Sequence, residues 1–113
     1  ILITNYNKDK FLKETLKSVI NQKFKDYEII IFDDCSTDNS LNIIKKFKNV
    51  KIINNKKKNS KYGPLNQIYG IYKLFKSSRA NILCLMDSDD QFTKTKLSKV
   101  YKVFKKKKYK MCF

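Results

Sequence analysis

At 113 residues the chain is long enough for one domain with its own core and too short for two. Hydrophobic residues make up 42% and charged residues 32%, a balance that excludes a disordered chain, and no apolar run approaches the roughly 20 residues of a membrane span. The 26 Lys and Arg against 10 Asp and Glu leave a net charge of +16, a field that draws polyanions and favours phosphate ligands.

Ile1 to Thr4 is a short apolar run ending in polar Asn5-Tyr6-Asn7. Phe11, Leu12, Leu16, Val19 and Ile20 are then spaced for one face of a helix, which Asn7 or Asp9 is placed to cap. Tyr27 to Phe32 reads as a strand buried on both faces, and it stops at the cap-rich loop Asp33-Asp34-Cys35-Ser36-Thr37-Asp38. Leu41, Ile44 and Phe47 mark a second helix, and Val50 to Ile53 a third strand. Asn54 to Pro64 is a lysine-rich loop closed by Gly63-Pro64, where regular structure must break.

Leu65, Ile68, Tyr69, Tyr72 and Phe75 fit a third helix, and their spacing predicts that its aromatics pack into the core. Ile82 to Met86 is a fourth strand ending on acid. Leu97, Val100, Tyr101 and Phe104 make a fourth helix, and Met111 to Phe113 opens a fifth strand. Four strand–helix repeats predict an α/β fold of three layers, α/β/α, with a mainly parallel sheet, since parallel neighbours need crossover connections. Ligands of such sheets sit beyond the carboxyl ends of the strands, where the acids of this chain are gathered.

The chain has no histidine, which removes Ser-His-Asp and Cys-His catalysis, and no GxxxxGK, which removes a P-loop. Its cysteines, Cys35, Cys84 and Cys112, are odd in number and form no CxxC, so they read as reduced thiols of a cytoplasmic domain. Metal or acid–base chemistry must fall on carboxylates.

Asp87-Ser88-Asp89-Asp90 follows directly on an apolar strand. A buried strand delivers such acids at a defined point, and hard cations such as Mg²⁺ or Mn²⁺ take oxygen ligands together with substrate phosphates. A solvated acidic turn explains one or two Asp here, but three poorly in so acid-poor a chain. Asp34, at the end of the second strand, is placed either to accept hydrogen bonds from a base or ribose or to cap a helix. Thr4 and Tyr6 offer a hydroxyl and a ring for packing on a nucleobase, and the loop from Lys56 through Lys61 can close over phosphates.

Taken in order, Ile-Thr-Asn-Tyr-Asn, Ser18-Val19-Ile20-Asn21-Gln22, Phe32-Asp33-Asp34-Cys35-Ser36-Thr37-Asp38 and Met86-Asp87-Ser88-Asp89-Asp90 resemble the family 2 glycosyltransferases over essentially the whole chain. The resemblance implies a Rossmann-like GT-A fold and inverting, metal-dependent transfer of a sugar from a nucleoside-diphosphate sugar, most simply a UDP-sugar, to a saccharide or lipid-linked acceptor. By the same resemblance Thr4 and Tyr6 contact the nucleobase, Asp34 the base or ribose, Asp87 and Ser88 the ribose and diphosphate, and Asp89 the Mg²⁺ or Mn²⁺ ion. Asn66 stands near the sugar nucleotide, although Leu65 takes the place of a usual Arg. Cys35 replaces a usual Gly, which requires that the backbone there avoid a left-handed conformation.

Residues 1–113 are expected to be the donor-binding portion, with the acceptor-binding part and the general base beyond residue 113. Two other readings remain. A basic nucleic-acid-binding module would use the +16 charge and Tyr62, Tyr69 and Tyr72. A haloacid-dehalogenase-type phosphotransferase would also set Asp-x-Asp after a strand, although there the motif lies on the first strand. The lysines also leave room for peripheral contact with the anionic inner face of a membrane.

Overall fold

A computed structural model describes residues 1–106 of the chain. The elements run β1 (Leu2–Asn5), α1 (Asp9–Ile20), β2 (Ile29–Asp34), α2 (Ser40–Lys45), β3 (Val50–Asn55), α3 (Gly63–Ser77), β4 (Leu85–Asp87) and α4 (Lys96–Lys106). The predicted alternation is present, and the expected fifth strand at Met111 to Phe113 lies outside the described residues.

All observed pairings are parallel, and the sheet order is β3-β2-β1-β4. The chain therefore steps from β1 to β2 to β3 in one direction and then crosses back to the far side of β1. Register places Thr4 opposite both Phe32 and Asp87, and Asn5 opposite Asp33. No helix among the described residues is long and apolar enough to cross a membrane.

Alternation along the strands divides the core into two layers. On one face Ile3, Ile31 and Met86 pack with Leu12, Leu16 and Val19 of α1, Ile44 of α2 and Leu97 of α4. On the other, Leu2, Ile30 and Phe32 pack with Leu74 of α3. All six residues of β2 are buried, as a run apolar on both faces requires. Each such Ile or Leu contributes about 1.5–3 kcal/mol through burial.

Four expectations are corrected. The apolar stripe of α3 faces outward: Leu65, Ile68, Tyr72 and Phe75 are each more than half exposed, as is Tyr62, and only Tyr69 turns in to meet Phe32 edge-on. The helix instead sets Asn66, Gly70 and Leu74 against the sheet, because Gly70 has no side chain to hold it away from the Phe32 ring. Neither Asn7 nor Asp9 caps its own helix. Lys8 occupies the cap position without a side-chain bond, and Asp38 accepts from the Asp9 N–H at 2.9 Å in its place. Strand β4 begins only at Leu85, since Leu85 already pairs with Leu2, the first residue of β1. Gly63-Pro64, expected to close a loop, opens α3, where a proline lacking its N–H is tolerated in the first turn.

Candidate functional site

Thr4, Tyr6, Asp34, Asn66, Asp87 and Asp89 line one cavity of about 340 Å³ at the carboxyl ends of the strands. Asn5, Lys8, Phe32, Lys58, Gly63 and Gln67 complete its wall. Sequence reasoning missed Lys8 and Gln67 as wall residues. Lys58 was visible only as part of a lysine-rich loop. A larger cavity of about 560 Å³ at the other end of the sheet, lined by Phe24, Tyr27, Arg79 and Tyr101 among others, gathers none of the motif acids.

Strand parity decides which acid faces the cavity. Thr4, Phe32 and Asp87 share the α3 side by register, and Asp34 follows Phe32 at the next position of the same parity. The side chains of Asn5 and Asp33 point to the opposite side, although Asn5 itself also borders the cavity. There the Asn5 amide donates to Asp33 Oδ1 at 2.6 Å, and the Ser36 N–H and hydroxyl donate to the same carboxylate at 3.0 and 2.6 Å. The Asp33 carboxylate needs donors, so it turns the amide nitrogen toward itself and leaves Asn5 Oδ1 buried with no hydrogen-bond partner. Asp33, fully buried, thus ties the end of β1 to the end of β2, while Asp34 is free to face the ligand side.

The carboxylates on the cavity wall are held individually. The hydroxyl of Thr4 and the amide of Gln67 both donate to Asp87 Oδ1, at 2.8 and 2.9 Å. Asn55 donates to Asp34 Oδ1 at 2.8 Å. The Lys8 ammonium sits 2.6 Å from Asp89 Oδ2. Its hydrogen bond holds the Asp89 carboxyl below the ordinary carboxylate range, and the same contact raises Lys8. Lys58 lies over the Tyr6 ring, 3.5 Å from its centroid.

Two expected contacts take other forms. Ser88 is buried and does not line the cavity; its N–H donates to the Thr4 carbonyl and its own carbonyl accepts from the Thr15 hydroxyl. Asn66 reaches the wall, but its amide is engaged at both ends by the Ser60 backbone, at 2.9 Å each way. It pins the lysine-rich loop to α3.

The acid-bearing loop after β4 is positioned by α1. Thr15 donates to the carbonyls of Ser88 and Asp90, Ser18 accepts from the Phe92 N–H, and Gln22 bridges Thr93 O and the Leu97 N–H. Thr15 and Ser18 are three positions apart on one side of α1, and the buried Gln22 follows just beyond the end of the helix. The stretch Ser18 to Gln22, noticed in the sequence as a resemblance, therefore has a physical task.

Cys35 has φ of 60°, so the expectation that it avoids a left-handed backbone is overturned. Its thiol bonds the Asn55 carbonyl at 3.2 Å, which offsets part of the strain. Among the described residues no group of three His, Cys, Asp or Glu is arranged to hold a metal ion.

A parallel sheet whose strand order reverses beside an acid-walled cavity defines an open, Rossmann-like α/β domain, with the cavity at the topological switch point. The chain belongs to glycosyl transferase family 2, whose sequence profile it matches over residues 1–113. It is 36% identical over 105 residues to the poly(ribitol-phosphate) beta-N-acetylglucosaminyltransferase TarP of Staphylococcus aureus, covering 89% of this chain and 31% of that protein. It is also 36% identical over 100 residues to the dTDP-rhamnosyl transferase RfbG of Shigella flexneri, covering 84% and 34%. The chain thus spans about a third of the length of these curated relatives.

Among solved structures, Staphylococcus aureus TarS residues 1–349 in complex with UDP superposes with a TM-score of 0.79 at 25% identity, over 93% of this chain and 31% of that one. The Pyrobaculum calidifontis mannosyltransferase PcManGT, in complex with GDP-Man and Mn²⁺, shares the fold with a TM-score of 0.69 at 14% identity, over 80% and 27%. The GT-A fold implied by the motifs is the fold observed.

Proposed function

We propose that this chain forms the donor-binding part of an enzyme that transfers a sugar, with inversion, from a nucleoside diphosphate to an acceptor hydroxyl. The observation that carries this reading is the gathering of Thr4, Tyr6, Asp34, Asp87 and Asp89 on one cavity at the switch point of the sheet. The exposed Tyr6 ring offers a stacking surface for a base, and Asp34 an acceptor for base N–H or ribose hydroxyl groups. Asp87 lies next to the ribose and diphosphate. Ser88 serves through its backbone, which holds the acid loop against β1. Asn66 acts by holding the lysine loop beside the donor.

Asp89 would hold a Mg²⁺ or Mn²⁺ ion. The Lys8 ammonium 2.6 Å from its Oδ2 supports this reading, since that oxygen already faces a cation. One or two protein carboxylates suffice for such ions when substrate phosphates supply the remaining ligands. Bound there, the ion would offset charge developing on the leaving diphosphate. The base that deprotonates the acceptor, and the acceptor site for a saccharide or lipid-linked hydroxyl, belong to the protein outside these residues.

TarS was solved with UDP, which makes UDP the first ligand to try. Binding of UDP, GDP and dTDP to the chain and to Asp89→Ala, with and without Mn²⁺, tests the reading by calorimetry. Metal-dependent binding that the variant loses is the expected result. Failure of every nucleoside diphosphate to bind, with single-stranded nucleic acid binding in a steeply salt-dependent way, would overturn the transferase reading.

A further inference from the structure

Lys8 belongs to none of the roles assigned above, yet it reaches into the centre of the cavity. Its backbone is fixed at the start of α1: the N–H donates to Ser40 Oγ at 3.3 Å, and the carbonyl accepts from the N–H groups of Phe11 and Leu12 at 3.0 Å each. Only the four-carbon side chain is free to move, so the ammonium can sweep the cavity wall without disturbing the helix. It donates to Asp89 Oδ2, the oxygen proposed to hold a divalent ion.

An ammonium and a divalent cation cannot share one carboxylate oxygen, because both need the same lone pairs and repel each other. When the ion binds, Lys8 must leave. The other carboxylates on the wall are each already partly engaged through Oδ1, Asp87 by Thr4 and Gln67 and Asp34 by Asn55, so they offer the ammonium less than a doubly charged diphosphate does. An ammonium set loose there is drawn to the remaining strong anion of a filled donor site, the diphosphate.

Resting on the donor-site reading, we propose that Lys8 is a phosphate-binding residue of this site, held by Asp89 in the empty cavity and released to the donor diphosphate when a divalent ion takes Asp89. Lysine suits the exchange. It is a compact point charge on a flexible stem, and it binds phosphate without the two-pronged geometry that would lock an arginine to Asp89.

The exchange makes two predictions of opposite sign for Lys8→Met. Without nucleotide, Mn²⁺ binding, read from the paramagnetic resonance signal of free Mn²⁺, becomes tighter by about fivefold because the competing ammonium is gone. At saturating Mn²⁺, UDP binding read by calorimetry becomes weaker by about tenfold because a charged hydrogen bond to phosphate is lost. Lys8→Arg stays weaker than wild type for Mn²⁺ and close to it for UDP.

Lys10→Met removes the same charge from an exposed position on α1 away from the cavity wall, and is expected to alter neither constant. If Lys8→Met leaves either constant unchanged, or Lys10→Met shifts both as much, the proposal is overturned. If the wild-type chain binds no UDP with Mn²⁺, the donor-site reading falls and takes this one with it. A wild type that binds while Lys8→Met matches it defeats the Lys8 exchange alone.

Discussion

The Thr4 hydroxyl donates to Asp87 Oδ1 at 2.8 Å across 83 residues of sequence, joining the ends of β1 and β4 where the strand order of the sheet reverses. Gln67 donates to the same oxygen, so β1 and the crossover helix α3 together aim one carboxylate.

Removing one of these two donors should loosen Asp87 without unfolding the domain. Thr4→Val is expected to weaken Mn²⁺-dependent UDP binding about five- to tenfold, the worth of about 1 kcal/mol for one hydrogen bond, with stability changed by less than about 0.5 kcal/mol. Calorimetric titration and urea unfolding read the two effects. An unchanged affinity would mean that Gln67 alone orients Asp87.

Gly70 is where α3 comes close to β2. A Cβ there would lie 2.5 Å from Cδ1 and 2.9 Å from Cε1 of the buried Phe32 ring. Gly70→Ala should cost about 1–3 kcal/mol by overpacking, read as a lower urea midpoint, despite the better helix propensity of Ala. Because Phe32 also lines the cavity, UDP affinity should fall with stability. A variant as stable as wild type would show that the helix does not ride this close to the sheet.

Cys35 holds a left-handed backbone that glycine adopts freely. Cys35→Gly is expected to stabilise the chain by about 1 kcal/mol, whereas Cys35→Ala, which keeps the strain and loses the thiol contact with Asn55, is not. Thermal melting of the two variants side by side decides it: equal melting temperatures would contradict the strain.

Asp38 gives the acid limb of stability a specific contributor. Burial pushes its carboxyl up, but hydrogen bonds from the Ser40 hydroxyl and the Asp9 and Ser40 N–H groups outweigh burial and leave it below the ordinary value of 3.8. A lowered folded value means that the native state resists protonation. The stabilisation is then fully present above the unfolded value and is lost as pH falls through the folded one. Asp38→Asn should therefore lower stability at neutral pH and flatten its decline below pH 3.8. An unaltered acid slope in urea unfolding would remove Asp38 from the account.

Much of the site could be read from residue types and their order. Thr4, Tyr6, Asp34, Asp87 and Asp89 were each visible as polar groups at the end of an apolar strand, and all of them reach one cavity. The readings that changed all depended on a partner distant in sequence. Asn66 was expected at the ligand, yet its amide holds the Ser60 backbone; Ser88 was expected there too, and is buried beneath it. Lys8 looked like one surface lysine among many, because nothing near it in sequence announces Asp89, 81 positions away.

The outward turn of the α3 stripe has the same kind of cause. Helical periodicity identifies an apolar face, but which face meets the sheet depends on how near the axis can come. Gly70 allowed a close approach on the side where Leu74 and Asn66 lie, so Leu65, Ile68, Tyr72 and Phe75 face out.

Read as a string, then, the chain carries its alternation of strands and helices, its family and the acids at its strand ends, because periodicity and strand-end chemistry are local properties. Which acid of the Asp33-Asp34 pair faces the cavity, which helix face is buried and which lysine meets Asp89 were decided only when parallel register and a reversed crossover brought distant segments together. A one-residue shift in that register would exchange Asp33 with Asp34 and turn the anchor into the ligand-facing group.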